Sequence, residues 1–296
     1  MIKKALKLSS KELLQKISVK VSMKTKLIIL INLFCVSALF TNAQNASISP
    51  SRLYYKTPVG EYKVQEVSIT NSSTHNQSFI VSFGDFEASG VNGKSKFMKA
   101  GESENSCSQW LSADPSFFDL EAGQTKKIKV LLQVPASPDA NKVKWASMLV
   151  KMANEKGGKN EPEKDAIGLG VTETFQFVIH IFQSPPSVTL KNAQIESFTE
   201  ITTDKDSTRI VMLRVNNSGE AILDCVSYLE FTNLGSGIEE RQKPIAYTLL
   251  PGASREIKFA VSSSLMEGKY SVLGVVDYGS RENVQAAETE IEIKKH

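Results

Sequence analysis

Residues 174–181 read Thr-Phe-Gln-Phe-Val-Ile-His-Ile, the cleanest alternation of side chains in the chain. In an extended strand, successive Cβ atoms point to opposite faces. Phe175, Phe177, Ile179 and Ile181 therefore share one side, and Thr174, Gln176, Val178 and His180 the other. The apolar side is either the inward face of a sandwich strand or, in part, a face shown to a partner. Working outward, residues 62–69, 78–83, 128–134 and 145–152 have strand length and strand composition, separated by Gly, Asn, Ser and Pro. No long amphipathic helix is visible after residue 44. The chain reads as all-β.

Ser184-Pro185-Pro186 ends the first set of strands, because proline removes a backbone donor and restricts the residue before it. A second strand-rich stretch follows, with pieces at 187–195, 208–215, 226–231, 245–250, 255–261, 270–276 and 287–293. Seven such pieces fit a second β-sandwich. The halves echo each other. Val67-Ser-Ile-Thr-Asn-Ser-Ser matches Leu213-Arg-Val-Asn-Asn-Ser-Gly, and the turn opening at Leu120-Glu-Ala-Gly matches Leu250-Pro-Gly-Ala. Between the strands, residues 153–172 carry seven charges, four glycines and one proline, the composition of a long mobile loop.

The chain has 296 residues and a formal charge of +3, with 41% hydrophobic and 23% charged residues, as in a globular protein of two ordinary domains. Residues 1–43 distort that charge. They hold eight lysines and one acid, Glu12, so residues 44–296 carry −4. That excludes a basic nucleic-acid-binding surface as the organising feature. From Met23, two lysines (Lys24 and Lys26) precede an apolar run from Leu27 to Phe40 and small residues ending at Ala43. This is the layout of a secretory signal peptide, too short and wrongly flanked for a transmembrane anchor. Translation starts at Met1 or at Met23. The expected mature chain, from Gln44, keeps Cys107 and Cys225, read as unpaired, with an interdomain disulfide as the alternative. The expected domains are residues 1–43 (extension and signal peptide), 44–185 and 186–296.

No enzyme motif stands out. There is no G-x-S-x-G, H-E-x-x-H, P-loop or C-x-x-C, and Gly168-Leu-Gly leads into a strand and not a helix. Asp114, Asp119 and Glu121 match no calcium-loop spacing. No cofactor and no metal are expected. Cys107 lies in a polar stretch read as a surface loop, while Cys225 lies in an apolar strand and reads as a small hydrophobe. Trp145 opens a strand and reads as core; Trp110 reads as packed beneath a loop.

Three passages resemble the amino-terminal immunoglobulin-like domain of the PapD-like periplasmic pilus-assembly chaperones. They are Ile48-Ser-Pro-Ser-Arg-Leu-Tyr-Tyr, then Leu120-Glu-Ala-Gly-Gln-Thr with the strand after it, then Pro138-Asp-Ala-Asn leading to Trp145. Ala122 stands where the family pattern has proline. The resemblance covers about residues 46–185 and implies two immunoglobulin-like β-sandwiches in tandem. It also implies that the strand at Phe175, Phe177, Ile179 and Ile181 is lent to a client, and that Arg52 holds the client's terminal carboxylate. His180 stands where the family has a lysine, and a mostly neutral histidine is a poorer fixed cation. Apart from the resemblance, Arg52 and His180 read equally as ordinary strand residues.

The implied function is a non-enzymatic, periplasmic, chaperone-like protein that binds surface-fibre or pilus subunits by β-strand donation. The alternative is a secreted envelope or cell-surface binding or structural module. Either way the expected partner is a protein, a pilin-like subunit or an envelope protein, with no nucleic acid and no transmembrane anchor in the mature chain.

Overall fold

The computed structural model describes residues 46–153, 175–201, 209–280 and 283–294. The signal peptide and the loop expected at 153–172 lie outside them, apart from Ala153. Ten strands precede Pro185: β1 (Ala46–Ser49), β2 (Arg52–Tyr55), β3 (Tyr62–Asn71), β4 (Gln77–Ser89), β5 (Lys94–Met98), β6 (Leu111–Asp114), β7 (Phe117–Leu120), β8 (Thr125–Gln133), β9 (Lys144–Ala153) and β10 (Gln176–Gln183). They form two sheets, one ordered β1-β3-β8-β6, the other β2-β10-β9-β4-β5 with β7 also on β4. Eight follow: β11 (Ala193–Glu200), β12 (Ile210–Asn217), β13 (Leu223–Asn233), β14 (Glu239–Arg241), β15 (Ile245–Leu249), β16 (Ser254–Ala260), β17 (Gly268–Asp277) and β18 (Gln285–Ile293). Their sheets run β11-β12-β16 and β14-β13-β17-β18, with β15 also on β13. The fold is all-β, two immunoglobulin-like sandwiches in tandem, and the described residues fall in one compact unit.

Each sandwich closes on its own apolar core. Leu53, Tyr55, Phe79, Ile128, Met148, Ile179 and Ile181 are among the buried residues of the first, and Leu213, Leu229, Phe231, Val272 and Ile291 of the second. The passage Ile48-Ser-Pro-Ser-Arg-Leu-Tyr-Tyr holds parts of two strands. Pro50 and Ser51 interrupt it, so β1 pairs with β3 in one sheet and β2 crosses to pair with β10 in the other. The Tyr55 hydroxyl spans the core between them and donates to the Val130 carbonyl at 2.8 Å.

The sequence echo has a structural basis. Asn71 and Asn217 are fully buried and fill the same corner in each sandwich. Asn71 Nδ2 donates to the carbonyls of His75, Leu120 and Glu121, and Asn217 Nδ2 to those of Ala221 and Leu249. Their carbonyls accept the amides of Gly123 and Gly252, each at 2.9 Å. Those glycines have φ of 76° and 72°, left-handed values that side chains resist. The true match is thus Leu120-Glu-Ala-Gly with Leu249-Leu-Pro-Gly, one residue from the register read off the sequence.

Three local readings change. The first piece of the second domain forms its strand at Ala193–Glu200, and residues 188–192 before it are irregular. Cys107 is fully buried in the first core, not in a surface loop. Its amide donates to the Trp145 carbonyl, and the serines around it turn inward onto the buried Asp85, which accepts from Ser103 N–H and Ser106 Oγ. Trp145 is buried, but with Phe86, Val143, Phe182 and Leu250 in a small third core where the two sandwiches meet. Cys107 and Cys225 are both unpaired.

A candidate binding edge beside a cationic cleft

β10 pairs antiparallel with β9 along its whole length, from Gln176 opposite Lys151 to Gln183 opposite Lys144. On its other side, β2 covers only its second half, in parallel, from His180 opposite Arg52 to Gln183 opposite Tyr55. Among the described residues no strand pairs with Gln176–Ile179 on that side. The His180 amide donates to Ser51 O, so even-numbered backbone groups face this edge. By alternation Gln176 and Val178 present their N–H and C=O groups to the vacant stretch, about 13 Å long. Unpaired edge groups are a template for another strand.

The four apolar side chains of this strand have different surroundings. Ile179 and Ile181 are buried in the first sandwich's own core, Phe177 packs against it partly buried, and Phe175 is 50% exposed. The two isoleucines are committed to the fold. What the strand leaves exposed is its backbone edge together with Phe175 and part of Phe177. In sequence, the odd-numbered apolar positions continue upstream at Ile167, Leu169 and Val171, outside the described residues.

The vacant edge ends at Arg52. This arginine lines a cavity of about 110 Å³ between the sandwiches, together with Lys94, His180, Thr248 and Arg255, with no acidic side chain in its wall. Arg52 Nη1 donates to Thr248 Oγ1 at 3.1 Å, and Thr248 in turn donates to Asp224 at 3.0 Å. Tyr54, two residues along β2, donates to the same carboxylate. His180 stands edge-on to Phe86, with ring centroids 4.6 Å apart, and lies within reach of Ser95 Oγ. Burial lowers its pKa, and the charge of Arg52 lowers it further. The imidazole is therefore neutral at pH 7, and Arg52 and His180, though adjacent, are not a cationic pair.

Arg255, on β16, was not legible as a site residue. Its guanidinium lies over the Tyr247 ring, 5.3 Å from the centroid, and makes no ion pair among the described residues. The turn joining β4 to β5 reaches across from the first sandwich. Val91 O accepts the Glu256 amide at 2.8 Å, and Gly93 lies so close that a Cβ there would fall 2.4 Å from Arg255 Cζ. No local sequence signal marks Arg255, because its site forms only when the two sandwiches meet.

Among the described residues no cluster of His, Cys, Asp or Glu is placed to hold a metal ion, and no helix is long and apolar enough to cross a membrane. No family model and no curated protein matches the chain. Solved structures do. A chain of the chaperone–tip adhesin complex of CFA/I fimbriae is 14% identical, with 83% of this chain and 98% of that chain covered and a TM-score of 0.44. The class 5 fimbriae chaperone CfaA is 15% identical over 85% of this chain and 100% of its own, with a TM-score of 0.41. A chain of the CsuC–CsuE chaperone–tip adhesion subunit complex, from the Csu pili of Acinetobacter baumannii, is 14% identical over 83% and 98%, with a TM-score of 0.42.

Proposed function

We propose that the protein is a periplasmic, chaperone-like binder of surface-fibre or pilus subunits, and that it holds an extended client segment on the vacant edge of β10. The observation that carries this reading is the end-to-end arrangement of that edge with β2. A client strand lying parallel to β10 runs in the same direction as β2 and must stop where β2 begins. Its carboxyl end then arrives at Arg52. An antiparallel strand would bring an amino end to the same cation, so charge favours the parallel direction. The main-chain bonds supply affinity, and Phe175 with the exposed part of Phe177 supplies contact for side chains. The motif resemblance at residues 46–185 implies the same mode. On this reading, residues 44–185 are the client-binding domain and 186–296 the second domain that closes the cleft.

Val178→Pro tests it. The Val178 N–H faces the vacant side, so proline removes an edge donor without breaking a bond to β9. Periplasmic capture of a fibre subunit should fall about tenfold or more in Val178→Pro and in Arg52→Gln, with thermal unfolding near wild type. Equal capture by all three proteins would sink the proposal. The burial of Ile179 and Ile181 favours a second reading, an envelope-binding module that uses another surface; it predicts that neither substitution matters.

A further inference from the structure

We infer that Arg255 of the second sandwich is the second anion-binding residue of the cleft, so that a carboxylate there is held jointly by both sandwiches. This rests on the reading of Arg52 as the stop for a client's carboxyl end, and adds the partner that His180 does not supply. Four observations converge. Arg52 and Arg255 line one cavity whose wall contains no acid. Its volume of about 110 Å³ leaves room for a carboxylate. Arg255 makes no ion pair of its own among the described residues, so its charge is free for a ligand. Its side chain is held in place, with the Tyr247 ring on one side and Gly93 against it, so little rotamer freedom is lost on binding. Each arginine that donates to a carboxylate contributes a charge-assisted hydrogen bond.

The two sources of a carboxylate, a chain terminus and a free solute, give different results. The probes are acetate, acetamide, and a short acetylated peptide of alternating Val and Thr, with either a free or an amidated carboxyl end. Binding is read from the Nε–H resonances of Arg52 and Arg255. Acetate should shift both resonances, and acetamide neither. If the site serves a chain terminus, the free-acid peptide binds about tenfold tighter than acetate, and amidation removes that gain. Arg255→Gln and Arg52→Gln should each weaken the free acids about tenfold or more, on the scale of one charged hydrogen bond. Arg255→Lys should fall between them and wild type, and His180→Gln should match wild type. Gly93→Ala, which displaces Arg255 without removing it, should weaken binding in the same direction.

Undiminished acid binding by Arg255→Gln, with loss in Arg52→Gln, overturns the inference and leaves the client-edge reading intact. No shift of either arginine with any acid overturns both. Acetate binding as tight as that of the peptide identifies a solute site: Arg255 keeps its role, and the client reading falls.

Discussion

His180 has two faces to its environment, an aromatic one (Phe86, Phe97 and Phe182) and a cationic one at Arg52 and Lys94. Burial first, and then Arg52, depress its pKa from 6.5. The unfolded chain takes up the proton more readily than the fold does, so stability contributed by the neutral ring is complete above the unfolded value. It declines as pH falls through about 6.5 and levels off below the folded value. In denaturant titrations at pH 7 and pH 5, His180→Gln should narrow the difference in midpoint relative to wild type. An unchanged difference would mean that His180 does not carry the pH dependence. The alternation that placed His180 on the opposite face from Ile179 and Ile181 was legible because period 2 is a local property. Its neutrality followed only in part, since the aromatic rings around it come from β4, β5 and its own strand.

At the scale of elements, the paired Asn corners are the most economical device in the fold. Each buried Asn ends its own strand, β3 or β12, donates from Nδ2 to the carbonyl that ends β7 or β15, and accepts the amide of the glycine in the turn that follows on its backbone carbonyl. Asn71→Ala or Asn217→Ala leaves two or more carbonyls without their donor. Each substitution should cost about 2–4 kcal/mol by chemical denaturation, with Asp a poor substitute because it has no Nδ2 donor. The corners were visible as a sequence echo, and the strands flanking them were placed from composition. Other elements were hidden for physical reasons. The break at Pro50 looks like a flaw in one strand until the second sheet offers β2 a partner. Cys107 reads as exposed because its neighbours are polar, yet those serines satisfy Asp85 and carry the cysteine inward with them. Neither partner lies nearby in sequence.

For the whole molecule, the decisive contact is the small core shared by the sandwiches. Trp145 is buried there beside Phe182 and Leu250, and its Nε1 donates to Phe86 O at 2.7 Å. Trp145→Ala removes the largest side chain of that cluster, at a cost of about 3–5 kcal/mol. Because each sandwich retains its own core, the loss should fall on the coupling between them. Calorimetry should show one transition in wild type and two in Trp145→Ala; a single, merely lowered transition would argue that Trp145 belongs to the first sandwich alone. Pro185-Pro186 lies between β10 and β11, and no local signal marks the cleft, whose wall draws on β2, β10, the turn between β4 and β5, and β16.

On the proposed client reading, the junction of β2 with the vacant stretch of β10 would also act as a ruler with a hard stop. A strand entering from the open end could lengthen its pairing only by peeling β2 away, one residue at a time. The first residues to leave would be Arg52 and Leu53, and Leu53 is 1% exposed, with Tyr55 and its bond to Val130 just behind. On the proposed client reading, branch migration along the edge would halt at Arg52, and an occupant would be measured from its carboxyl end. Register, which a flat and featureless edge leaves free to slip, would then be set by where the protein's own strand begins.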